Sequence, residues 1–121
     1  LKKAPYSNVG SKITVVAPGG NITADINNDG HVDGVLSTLS DDSGNLFYGF
    51  YQGTSMASPH VAGTASLVLN TPVLNYDANS NGKWDPDEVQ KKLQDTAIDK
   101  GVAGFDNLYG WGLVNAYKAV Q

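Results

Sequence analysis

Hydrophobic positions along this chain come in short bursts, separated by stretches in which Asn, Asp and Gly dominate. Lys12-Ile13-Thr14-Val15-Val16 alternates and then turns fully apolar, the pattern of a short buried strand. Ala17-Pro18-Gly19-Gly20 ends it, because Pro18 has no N–H for a sheet ladder. Residues 21–34 read as an irregular loop. Two apolar and aromatic runs, 35–39 and 46–51, flank Ser40-Asp41-Asp42-Ser43-Gly44-Asn45 and predict a hairpin with a six-residue connection.

After the hairpin the period changes. Ala57, Val61, Ala65, Val68 and Leu69 recur near helical spacing over 55–70. The segment is apolar on most sides, which predicts a buried helix. Asp85-Pro86-Asp87-Glu88 opens a second helix: Asp as N-cap, Pro at the first helical position, Glu three residues after the cap. Val89, Leu93 and Ala97 line one face of it, and Lys91 and Lys92 face solvent. Leu113, Ala116, Tyr117 and Val120 predict a final helix over 113–120.

Composition narrows the class. The length of 121 residues suits one domain or a piece of a larger one, and 40% hydrophobic content with 14 Gly suits a turn-rich globular chain. All eight basic residues are Lys, the net charge is −4, and no basic stripe runs along the chain, so no nucleic-acid partner is expected. With no Cys, disulfides, thiolate catalysis and a cysteine zinc site are excluded. No apolar run approaches the roughly 20 residues of a spanning helix, and no membrane partner is expected. The beginning, Leu1-Lys2-Lys3-Ala4-Pro5, has no initiator Met or signal-peptide core and reads as a fragment or a processed chain.

Two aspartate-rich segments carry candidate metal chemistry. Over 77–88, Asp77, Asn79 and Asn81 stand at places one, three and five of a twelve-residue calcium loop. Gly82 makes the turn at six, Lys83 offers its carbonyl at seven, Asp85 stands at nine and Glu88 at twelve. Hard Ca²⁺ takes about six to eight oxygens, and this spacing supplies them. The alternative is a polar turn in which Asp85 and Glu88 only cap the helix. The preceding Thr71-Pro72-Val73-Leu74-Asn75-Tyr76 does not read as an entering helix, so the loop is expected on a fold other than an EF-hand. Over 25–33, Asp25, Asn27, Asp29, Gly30, His31 and Asp33 repeat the first nine places, with His31 as a backbone ligand whose ring is solvated. Place twelve is Leu36, which cannot ligate; Asp41 or Asp42 across the hairpin is expected to complete the shell, and an Asx-rich turn without metal is the alternative.

Gly53-Thr54-Ser55 precedes the first predicted helix. A serine there sits beside unpaired backbone N–H groups and the positive end of the helix dipole, a field that favours an alkoxide and an oxyanion. It also fits an ordinary N-cap. A nucleophilic serine needs a base. His60 lies five residues on, roughly 140° around an ideal helix, and reads as a packed structural histidine, while His31 belongs to an aspartate loop.

The longer string Gly-Thr-Ser-Met-Ala-Ser-Pro-His-Val-Ala-Gly over 53–63 resembles the nucleophile motif of the subtilisin-like serine proteases. SNVGSKITVVAPGG, VLSTL with YGFYQGTS, and YGWGLVNAYKAV resemble further segments of that family in the family's order. The resemblance implies the C-terminal portion of a three-layer α/β/α fold with a parallel sheet, a hairpin before the nucleophile helix and inserted calcium loops. It implies that Ser55 is the nucleophile and its N–H an oxyanion donor, that Gly53 and Thr54 adjoin the oxyanion hole, that Met56 is an oxidation-sensitive neighbour, and that Tyr51 and Gln52 shape the leaving-group side. The family's Asp, its His and its oxyanion Asn precede the serine and have no counterpart in residues 1–121. The expectation is therefore a secreted, Ca²⁺-stabilised endopeptidase acting on peptide or protein substrates, its chain silent until an N-terminal portion supplies those groups. A non-catalytic calcium-binding module on the same scaffold is the alternative, since the 25–33 loop also resembles those of dockerin-type modules. A pseudo-protease is disfavoured by the intact Gly-Thr-Ser-Met string.

Overall fold

The computed structural model describes residues 2–121. They fall into two compact units, one of residues up to 7 together with 18–58, the other of residues 8–17 together with 59–121. The first is organised by the expected hairpin. Strand β1, Val35–Ser40, pairs antiparallel with β2, Leu46–Tyr51, in a register that sets Val35 against Tyr51 and Ser40 against Leu46. The connection is residues 41–45, shorter than expected because Ser40 joins the ladder. Asp41 sets the turn: its carboxylate accepts from Ser43 N and Asn45 N at 2.9 Å and from Asn45 Nδ2 at 2.8 Å. Leu36, Tyr48 and Leu46 share one face of the hairpin and are 53%, 75% and 86% exposed. The 21–34 segment leaves and returns through a narrow neck, where Asn21 N donates to Asp33 O and Asp33 N to Ala24 O, both at 2.8 Å.

Helix α1, Thr54–Val68, starts in the first unit and continues in the second. Its burial is narrower than its apolar content predicts. Thr64 and Val68 are buried, whereas Leu67 and Leu69 stay more than half exposed, so one stripe packs and the remainder does not. The second unit's core is Val68, Leu93 and Ala119, with Val61, Ala65, Trp84, Val89 and Val114 against them. Burying a side chain such as Val68 completely contributes about 1.5–3 kcal/mol.

Helix α2, Pro86–Thr96, begins where the capping signals place it and supplies Val89 and Leu93 to that core. A single 3-10 turn, Leu74–Tyr76, stands before the 77–88 loop in place of an entering helix, as expected. Trp84 fixes the loop's exit by donating from Nε1 to Thr71 O at 2.8 Å. Its ring meets Tyr76, and the Lys92 ammonium lies 4.9 Å from the Tyr76 ring centre.

Two expected elements are shorter in the structure. The buried strand at 12–16 is half-buried and contributes an isolated parallel bridge between Val16 and Leu113. Trp111 N donates to Thr14 O, Val16 N to Gly112 O and Val114 N to Val16 O, each at 2.9 Å. Leu113 also bridges Ile98 in the antiparallel sense. Those bonds hold 113 and 114 extended, so the last helix, α3, is confined to Ala116–Ala119, capped by the Asn115 side chain. Gly110, at φ +60°, lets the backbone approach: a Cβ there would lie 2.5 Å from Ile13 O and Thr14 O. Among the described residues, parallel pairing is limited to this bridge.

Candidate functional site

β2 ends at Tyr51, and two residues separate it from α1. Gly53 makes the change of direction at φ +146°, a conformation that L side chains rarely adopt. Its carbonyl accepts from Met56 N at 3.1 Å and from Ala57 N at 3.3 Å, so Gly53 occupies the cap position. The amides of Thr54 and Ser55 precede the first of these bonds and belong to the orphan N–H groups of a helix start. Ser55 stands in the first turn and is exposed, as are Thr54 and Tyr51; Gln52, Gly53 and Met56 are half-buried. The site therefore joins an accessible hydroxyl, adjacent backbone donors and the positive end of a fifteen-residue helix.

The approach to this turn is held from the 19–22 segment. Gly53 N donates to Gly19 O at 2.8 Å, and Gln52 Oε1 accepts from Ile22 N at 2.8 Å. The second bond was not expected from sequence, which assigned Gln52 only to the leaving-group side. His60 corrects another expectation: it is exposed rather than packed, since Val61, not His60, faces the second unit's core.

In the 77–88 loop the side chains at places one, three, five and nine converge. Asp77 Oδ1 accepts from Asn81 N at 2.9 Å, and Asp77 Oδ2 from Gly82 N at 2.9 Å. Asn79 Oδ1 accepts from Asn81 N at 3.0 Å, and Asn81 Oδ1 from Lys83 N at 2.7 Å. The amide nitrogens of Asn79 and Asn81 both donate to Asp85 Oδ2, at 2.6 and 2.8 Å. Glu88 is buried and accepts from Ala78 N at 2.7 Å through Oε1 and from Asp85 N at 3.0 Å through Oε2.

The 25–33 loop is built alike. Asp25 accepts from Asp29 N at 3.2 Å and Gly30 N at 3.0 Å, Asn27 Oδ1 from Asp29 N at 3.3 Å, and Asp29 Oδ1 from His31 N at 2.9 Å. The His31 N–H, and then the Asn27 amide, hold the Asp29 carboxyl below its ordinary value. Asp33 Oδ2 accepts from Ile26 N at 2.8 Å. Two expectations change here. The His31 ring is not simply solvated but stacks on Phe50 at 5.8 Å. Asp41, one of the two residues expected to complete this loop, uses both carboxylate oxygens in its own turn. Among the described residues, no three His, Asp or Glu side chains cluster closely enough to hold a metal ion by themselves. A cation in either loop would draw on Asn and backbone oxygens as well, and the donors present are oxygens of the kind that a hard divalent cation takes.

Known proteins resemble this chain over most of its length. The model of the Subtilase family matches residues 2–112. Subtilisin NAT of Bacillus subtilis subsp. natto is 35% identical over 120 residues, covering 99% of this chain and 24% of that protein. An extracellular serine protease of Serratia marcescens is 36% identical over 113 residues, covering 88% and 10%. An extracellular basic protease of Dichelobacter nodosus is 38% identical over 121 residues, covering 99% and 17%. Among solved structures, a lanthipeptide protease superposes with TM-score 0.72 at 36% identity, over 96% of this chain and 37% of that one. Fervidolysin from Fervidobacterium pennivorans, a keratinolytic enzyme related to subtilisin, gives TM-score 0.67 at 29% identity, over 95% and 16%. The chain thus spans well under two thirds of each of these proteins.

Proposed function

This chain belongs to the subtilase family, with an α/β fold of that kind, and from that premise we propose that it carries the nucleophile of a secreted, calcium-stabilised serine endopeptidase. Ser55 is the attacking residue. The observation that carries the reading is the accessible Ser55 hydroxyl on the first turn of α1, beside amides that precede the helical ladder.

In the complete enzyme a base takes the Ser55 proton as Oγ attacks the scissile carbonyl, and the Ser55 N–H donates to the oxyanion that forms. The proton passes to the leaving amine, and water then hydrolyses the acyl-enzyme. The base, its orienting Asp and a second oxyanion donor come from outside residues 1–121, so this chain alone is expected to be proteolytically silent. Thr54 and Gly53 border the oxyanion, Tyr51 the leaving-group side, and Met56 adjoins the nucleophile. Secretion is supported by relatives named as extracellular proteases.

Calcium is proposed for both aspartate loops. Asp77, Asn79, Asn81, the Lys83 carbonyl, Asp85 and Glu88 would hold one ion; Asp25, Asn27, Asp29, the His31 carbonyl and Asp33 would hold another. A bound ion supplies stability by favouring the folded chain over the unfolded one.

The nucleophile is tested by fluorophosphonate labelling of the complete protein. A modified peptide containing Ser55 is expected, absent from Ser55→Ala. Labelling of the same peptide in Ser55→Ala would sink the assignment.

A further inference from the structure

We infer that Gln52 is a positioning residue for the Ser55 nucleophile, acting through its hydrogen bond to the backbone of Ile22 and not by touching substrate. The inference rests on Ser55 being the nucleophile, as proposed above. Gln52 Oε1 accepts from Ile22 N at 2.8 Å across thirty positions of sequence. The next residue repeats the attachment from its backbone, since Gly53 N donates to Gly19 O at 2.8 Å. Two adjacent residues thus bind the turn that enters α1 to one short segment, 19–22.

That segment is firmly placed. The Tyr6 hydroxyl donates to Gly20 O at 2.5 Å, and Asn21 N donates to Asp33 O at 2.8 Å. The fit leaves no room for side chains: a Cβ on Gly19 would meet Gly53 O at 2.9 Å, and one on Gly20 would meet Tyr51 O and Val35 N at 2.9 Å. Gly53, at φ +146° and without a Cβ, is the pliant point between β2 and α1. The Gln52 bond stands immediately before that point and limits how far the turn can swing. With its carbonyl oxygen committed to Ile22 N, Gln52 directs the Ser55 hydroxyl without presenting that oxygen to a substrate.

Ile22 is exposed, so water takes over its N–H when Gln52 is replaced, and the fold loses little. Catalysis loses more, because displacing a reacting group by about 1 Å can cost on the order of 10²-fold in rate. The deficit falls on kcat, since what is lost is alignment in the transition state and not substrate binding.

The test is steady-state kinetics of the complete protein on a peptide substrate, with the rate of fluorophosphonate labelling of Ser55 read in parallel. Gln52→Met keeps the side chain's length without a strong acceptor; it is expected to lower kcat about 10-fold or more, to leave KM within about 2-fold, and to slow labelling equally. Gln52→Glu keeps an acceptor oxygen and should recover kcat to within about 3-fold of the parent. A raised KM at unchanged kcat in Gln52→Met would show that the side chain binds substrate, and unchanged kinetics would show an idle bond; either overturns the inference. So does a kcat loss matched by an equal loss of folded protein in thermal melting. Absence of labelling in the parent protein would instead defeat the nucleophile assignment, and this inference with it.

Discussion

Four hydrogen bonds recur at the same offsets in the 25–33 and 77–88 loops. In each, the fifth residue's N–H reaches the first and third side chains, the sixth reaches the first, and the seventh reaches the fifth. The fourth residues, Asn28 and Ser80, share φ near +58°, and Gly30 and Gly82 follow in the left-handed region at +86° and +74°. Similar side chains at one, three and five impose one backbone. The loops part company at their ends. In the later loop the second residue, Ala78, donates to Glu88 at place twelve; in the earlier one Ile26 donates to Asp33 at place nine.

The element that each loop leads into accounts for the difference. Pro86 starts α2 one residue after Asp85, and the first helical turn swings Glu88 back over the loop. The earlier loop must return through Gly34 into β1, where Leu36 is already paired with Phe50. A residue at place twelve is then part of a ladder, and the closing acceptor has to come sooner. Asp33 takes that place. The first six places of such a loop are set by local chemistry, whereas its closure belongs to the next element of structure.

Calcium removal is the largest expected perturbation. A loop at a free-ion concentration a hundredfold above its Kd gains about 2.7 kcal/mol, so chelation should lower the stability of the complete protein by about that amount per occupied loop. Asp77→Ala should remove the later loop's share and Asp25→Ala the earlier loop's, as read by calorimetry with and without chelator. Loss of the whole gain from either single substitution would mean that the loops are not separate sites.

Glu88→Ala comes next. The side chain is 4% exposed and serves two amides, and leaving buried partners of a charged group unpaired costs about 1.5–3 kcal/mol, so a loss of at least that size should persist in chelator, below the summed effect of emptying both loops. Asp33→Ala, half-exposed and serving the amide of Ile26, should cost about 0.5–1.5 kcal/mol, both losses being read by denaturant titration in chelator. Equal costs would break the claim that the two residues close their loops in different settings. Leu36→Glu sharpens it further: if closure comes at place nine, an acid at twelve should not raise the calcium affinity measured by isothermal titration.

Local signals made part of the molecule legible, and long-range bonds made the rest. The hairpin, the α2 cap with its Asp85-Pro86 start, and the helix entrance at Ser55 were legible because neighbours in sequence create them. The 113–120 helix was overestimated because Leu113 stands at helical spacing from Ala116, Tyr117 and Val120, yet the backbones of Leu113 and Val114 pair with Ile98 and Val16. The apolar content of 55–70 suggested a buried helix, but it does not say how many neighbours will cover it, and Leu67 and Leu69 stay more than half exposed. At the candidate site, Ser55 could be named from its string, whereas the bond from Gln52 to Ile22 spans thirty positions and leaves no local pattern.

The smallest expected effect concerns Asp41, one of the two hairpin residues, with Asp42, that the sequence offered to complete the earlier loop. Its carboxylate is instead taken up by Asn45 and Ser43, and these bonds, that from the Asn45 side chain foremost, hold its carboxyl below the ordinary 3.8. A group whose folded value is depressed adds stability that is fully present above its unfolded value and disappears as pH falls through the folded one. The contribution of Asp41 should therefore hold at neutral pH and fade below about pH 4, where the unfolded carboxyl begins to take up its proton. The residue is exposed, so solvent screening keeps the effect small. Asp41→Asn should leave calcium affinity unchanged and flatten the fall of the melting temperature between neutral pH and about pH 3. A weaker calcium response in that variant would return Asp41 to the metal shell, and would mean that the earlier loop, unlike the later one, borrows its last ligand from across the hairpin.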